Sequence, residues 1–213
     1  MQILFVHGMG RSPISGTPLL WRLRRHGHSV DVVSYFAGVE CFNSIVKRVQ
    51  NKITDLSERG QYVLVGHSLG GVILRAALQK LGDMDNPPQH LFLLGSPVFP
   101  ARLARKSQND LSYKLLAGDS GQLLASKKRL GSIEMPNTPT TAIVGTKDVA
   151  LTKRYFQDEE NDGVVAIGEV THSGIEEIIS LPVIHTFLPS SHKVCSIIID
   201  KISHLQSQLA VIN

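Results

Sequence analysis

Cysteine is almost missing from this chain: two in 213 residues, Cys41 and Cys195. They lie far apart with no recognisable secretory leader ahead of them, so they read as reduced thiols. Two cysteines make neither a disulfide framework nor a zinc motif. Aromatic residues are also scarce, at 6% with a single tryptophan. The 22 basic and 18 acidic residues leave a net charge of +4, with the basic residues scattered. A nucleic-acid surface needs a concentrated basic face with aromatic partners, so no nucleic-acid partner is expected. No run approaches the roughly 20 apolar residues of a membrane span, so no integral membrane segment is expected. The opening MQILFVHGMGRS lacks a basic n-region and reads as a strand, which makes a cytoplasmic location the expectation. No Gly/Ser linker and no internal repeat divides the chain.

What remains is an ordinary globular composition, 42% hydrophobic and 19% charged, suited to a single α/β domain over residues 1–213. Short apolar runs read as strands: QILFVHG, HSVDVVSYF, YVLVGH, HLFLLGSP, TPTTAIVGT and SLPVIHTFL. Segments with helical spacing lie between them, closed by glycines such as Gly27 and Gly60. KVCSIIIDKISHLQSQL reads as a closing helix. This alternation predicts an α/β three-layer sandwich with a mostly parallel, twisted central sheet covered on both faces. Ligands then bind beyond the carboxyl ends of the strands. Residues 98–135 are the least regular part, a basic segment that reads as a small cap or a surface excursion.

One turn carries the chemistry. In YVLVGHSLGGVILRAAL, Ser68 stands between Gly66 and Gly70 where a strand meets a helix. G-x-S-x-G at such a junction is the spacing of a nucleophile elbow, which leaves a hydroxyl at the tip of a strained bend. A Cβ at either glycine would crowd that bend. The backbone N–H of Leu69 falls at the helix N-terminus, where unpaired donors and the helix dipole favour an anion.

With FVHGMGRS after the first strand, VGHSLGG at the elbow, NDGVV, and LPVIHTFL near the end, the chain resembles small esterases and lipases of the α/β-hydrolase superfamily, compact and with a small lid or none. The resemblance implies the chain order serine, acid, histidine. Asp162, in the NDG turn, is the favoured acid. Asp148, just past TTAIVGT, is the alternative, and reads otherwise as a helix N-cap. His185 is the favoured base, His192 the alternative and His172 a third. The resemblance also points to the backbone N–H of Met9 as the second oxyanion donor beside Leu69. His7 and His67 flank the motifs but stand too early in the chain to be the base, and are expected to be structural.

The function this implies is a serine hydrolase that cleaves a carboxylic ester or thioester through an acyl-enzyme on Ser68. It requires no metal and no cofactor, and its partner is a small-molecule acyl ester. An acyltransferase using the same residues and a non-catalytic binding module on the same fold are the alternatives. Work at an oil interface requires an apolar surface that the sequence alone does not reveal.

Overall fold

The computed structural model describes residues 1–212, with side chains through residue 209. Six strands form one sheet: β1 (Gln2–Val6), β2 (Ser29–Val33), β3 (Tyr62–His67), β4 (His90–Leu94), β5 (Thr140–Gly145) and β6 (Glu177–Leu181). Their order is β2-β1-β3-β4-β5-β6 and every neighbouring pair is parallel. The helices are α1 (Thr17–Arg25), α2 (Phe42–Glu58), α3 (Leu69–Leu81), α4 (Arg102–Ser107), α5 (Leu111–Ala125), α6 (Lys127–Gly131), α7 (Ala150–Lys153), α8 (Ile167–Val170) and α9 (His192–Ile212). Three-ten turns cover Pro13–Gly16 and His185–Ser190.

Successive side chains of a strand point to opposite faces, and the four central strands are apolar on both. Ile3, Phe5, Val63, Val65, Phe92 and Leu94 pack with α1 and α9 on one face. Leu4, Val6, Leu64, Leu91 and Leu93 pack with α2 and α3 on the other. The spacing read along α2 holds, since Ile45, Val46, Val49, Ile53 and Leu56 are all buried. α3 is buried all round from Leu69 to Leu78, because it lies between the sheet and α2.

One expected strand is displaced. SLPVIHTFL does not form the sixth strand. The ladder runs over Glu177–Leu181 and stops at Pro182, which has no N–H to donate. His185 therefore opens the three-ten turn that follows. Among the described residues, no helix is long and apolar enough to cross a membrane.

The chain leaves β1 towards β2 on one side and returns to β3 on the other. That reversal puts a crevice at the carboxyl ends of β1 and β3, the usual place for a ligand in an open parallel sheet.

Candidate active site

Ser68 sits at that crevice, between the end of β3 and the first residue of α3. Its φ of 53° and ψ of −123° are a conformation that costs a non-glycine residue on the order of 1–3 kcal/mol. Close packing holds it there. A Cβ on Gly70 would lie 2.0 Å from the Val6 carbonyl oxygen, and one on Gly66 would lie 2.4 Å from the Gly71 Cα. The helix is thus pressed onto β1 and β3 with no room for side chains at the bend. The Ser68 N–H donates to the Leu94 carbonyl at 2.9 Å, which ties the turn to the end of β4.

Asp162 and His185 come together as a buried pair, with His185 Nδ1 2.6 Å from Asp162 Oδ2. The other carboxylate oxygen, Oδ1, accepts the N–H groups of Val164 at 3.0 Å and Val165 at 2.9 Å. The backbone closes a second link, since the His185 N–H donates to the Asp162 carbonyl at 2.9 Å. With Nδ1–H committed to Asp162, Nε2 is the ring nitrogen left to accept a proton.

The pair lies beside the serine turn. A Cβ on Gly95, the residue after Leu94, would fall 2.9 Å from His185 Nδ1 and 3.0 Å from Cε1. His67, which precedes Ser68, donates from Nε2 to the His185 carbonyl at 3.1 Å. The two imidazole rings are tilted, 4.9 Å apart between centroids. Among the described residues the Ser68 hydroxyl makes no hydrogen bond of its own.

The alternatives lie elsewhere. Asp148 stands in a surface loop and pairs with Lys153 Nζ at 2.9 Å. It does not cap a helix, since α7 begins after Val149. His192 is exposed at the start of α9, 3.4 Å from Ser196 Oγ. His172 accepts the Gly174 N–H and approaches Phe99.

The loop after β1 is braced from both sides. His7 is buried, stacks on Tyr35 at 4.2 Å and donates from Nδ1 to the Gly8 carbonyl at 2.9 Å. The Tyr35 hydroxyl donates to the His7 carbonyl at 2.6 Å. Arg11 reaches Thr186, next to His185, at 2.9 Å. Burial holds both His7 and His67 below the ordinary histidine pKa, His67 well below. Gly8 lies against the serine, since a Cβ there would sit 3.1 Å from Ser68 Cβ. The N–H groups of Met9 and Leu69, on the two sides of this crevice, make no hydrogen bond among the described residues. Sequence reasoning missed Tyr35, Arg11 and the two valine amides. Only the valines carried a signal, as the apolar pair after the NDG turn.

Residues 3–177 match the Alpha/beta hydrolase family, a span that includes Ser68 and Asp162 and stops short of His185. A search of the curated proteins finds no match. Among solved structures, the mature form of the Bacillus licheniformis lipase BlEst2 superposes with a TM-score of 0.79 at 16% identity, covering 93% of this chain and 90% of that one. A thioesterase of the prodiginine pathway in Streptomyces coelicolor gives a TM-score of 0.63 at 17% identity, over 97% and 89% of the two chains. The monoacylglycerol lipase of Paleococcus ferrophilus gives 0.60 at 17% identity, over 97% and 94%. At these identities the likeness is one of fold. Together with the matched span, it establishes that the chain belongs to the alpha/beta hydrolase family.

Proposed function

We propose that the protein is a serine hydrolase that cleaves a carboxylic ester or thioester through an acyl-enzyme on Ser68, with His185 as base and Asp162 as the group that orients it. The observation that carries the reading is the buried Asp162–His185 pair, held against the serine turn by Gly95 and by the His67 hydrogen bond. A lone serine hydroxyl is a weak nucleophile, and this arrangement supplies the base and its orienter.

Ser68 Oγ attacks the acyl carbon as His185 Nε2 takes its proton. The oxygen of the tetrahedral intermediate takes up the negative charge, between the backbone N–H groups of Leu69 and Met9. Collapse of the intermediate expels the alcohol or thiol, which leaves with the proton from Nε2. Water then attacks the acyl-serine, gives its proton to Nε2, and the acid departs as the proton returns to Ser68. The Ser68–Nε2 hydrogen bond forms as substrate settles, since such bonds are often long in a free enzyme. The lipase, thioesterase and monoacylglycerol lipase of like fold lend support to an acyl substrate.

A fluorophosphonate probe tests this. It is expected to label one residue, Ser68, and the label is expected to vanish in Ser68→Ala. Label that persists in that variant removes the assignment.

A further inference from the structure

Among the described residues, the large apolar side chains left exposed are gathered at one end of the molecule. All but Trp21, Val32 and Ile178 lie in segments that follow the carboxyl ends of strands, the end where Ser68 sits. The densest group is on the first turns of α5, where Leu111, Leu115 and Leu116 are 72%, 66% and 60% exposed. Leu111 and Leu115, four apart, share a helix face. Burial begins only at Ala117. At Gly118 the helix breaks, with φ 51° and ψ −142°, and a Cβ there would meet the Ala37 carbonyl at 2.3 Å. Residues 111–117 are therefore a short arm braced on the loop after β2. That loop adds Phe36 and Val39, 48% and 79% exposed, and its Gly38 lies against the Leu115 and Leu116 carbonyls.

Cations accompany the arm, on α5 itself and on α4, which packs against it. Residues 98–135 hold seven basic and three acidic side chains, a surplus equal to the +4 of the whole chain. Arg105, Lys106 and Lys114 are exposed and form no ion pair among the described residues. Meanwhile the cavities of about 250–500 Å³ described in the molecule are lined by neither Ser68 nor His185.

We propose that this end of the molecule docks on an anionic lipid surface through the leucines of the 111–117 arm and the cations beside them, and that the ester reaching Ser68 is an acyl lipid drawn from that surface. Apolar side chains flanked by lysine and arginine match an interface in which headgroups take the cations and the acyl boundary takes the leucines. A second copy of this chain fits less well. A twofold pairing brings the same patch against itself, so the unpaired charges of Arg105, Lys106 and Lys114 would be gathered with the like charges of the second copy. The docking stands on the surface alone; only the fate of the lipid rests on the hydrolase reading.

Co-sedimentation of the full chain carrying Ser68→Ala tests the docking without hydrolysis altering the lipid. Phosphatidylglycerol vesicles are expected to bring down about tenfold more protein than phosphatidylcholine vesicles, with the excess lost at high salt. Leu111→Ser, Leu115→Ser and Leu116→Ser together are expected to lower the bound fraction about tenfold, and so is Arg105→Glu with Lys106→Glu. With Ser68 intact, the leucine changes are expected to leave p-nitrophenyl acetate hydrolysis within about twofold, as surface substitutions do. Equal binding to both vesicles, binding to neither, or leucine variants that bind like the parent overturns the docking. A concentration-dependent dimer dissolved by the leucine changes assigns the patch to a second copy and overturns it as well. Vesicle binding with no hydrolysis of any ester sinks the Ser68 reading and leaves the docking standing.

Discussion

At the scale of single residues, two aspartates offered themselves as the acid and their surroundings now differ. Asp162 is buried with Oδ1 on two amide donors and Oδ2 on the imidazole. Asp148 pairs with an exposed lysine. In Asp162→Asn the two valine N–H groups keep the side-chain oxygen on their side, which turns the NH₂ towards His185 Nδ1. Nδ1 must then accept, the proton moves to Nε2, and Nε2 no longer takes the serine proton. The expected loss in kcat is about 10⁴-fold, whereas Asp148→Asn stays within about twofold. Steady-state kinetics on a soluble ester decide it, and equal losses would remove Asp162 from its role. The NDG turn was legible because Asn and Asp before Gly have a turn chemistry of their own. The contacts of Tyr35 and of His67 with its neighbour were not, because they join residues 28 and 118 positions apart.

At the scale of elements, the strand–turn–helix around Ser68 was readable from a few glycines, and their reason is steric. Gly70→Ala drives a Cβ to 2.0 Å from the Val6 carbonyl oxygen, backbone of a central strand that has nowhere to go. Overpacking of this kind costs about 1–3 kcal/mol or more. Gly131→Ala is the contrast, since a Cβ there meets nothing within 4 Å and its φ lies outside the left-handed region. Relief of unfolded-chain entropy makes that change neutral or stabilising by up to about 1 kcal/mol. Urea midpoints of the two variants are expected to move in this order, and a Gly70→Ala protein as stable as the parent would refute the packing account. The sixth strand was misplaced for a related reason. An apolar run fits a strand or the segment beyond it equally well, and Pro182 inside the run was the one mark of the strand's end. The same ambiguity hid the arm at 111–117. Its leucines have the spacing of a core helix, and only the tertiary placement leaves them in water.

At the scale of the whole molecule, the two-sided burial of the sheet has a consequence for acid stability. Burial lowers the pKa of His7, His67 and His90, and takes His90 from 6.5 down to about 4. A histidine held neutral in the fold is free to protonate once unfolded, so between those two values the unfolded chain binds more protons. Its contribution is complete above pH 6.5 and drains away as the pH falls towards the folded value. Burial pulls Asp31 and Asp119 upward, but hydrogen bonds from Arg59 and Lys52 to Asp31, and from the Phe42 N–H and Arg129 to Asp119, leave both lowered, so they give way only in stronger acid. Burial raises the pKa of Glu169, and protonation there offsets part of the loss. The expected result is a urea midpoint that falls steadily from about pH 6.5 to pH 4. His90→Gln separates this from general acid expansion. It removes a titrating group while keeping an amide to meet Thr141 Oγ1, which His90 Nε2 contacts at 2.9 Å. The falling limb should be shallower in that variant, and an unchanged slope would mean that His90 is not held neutral by burial.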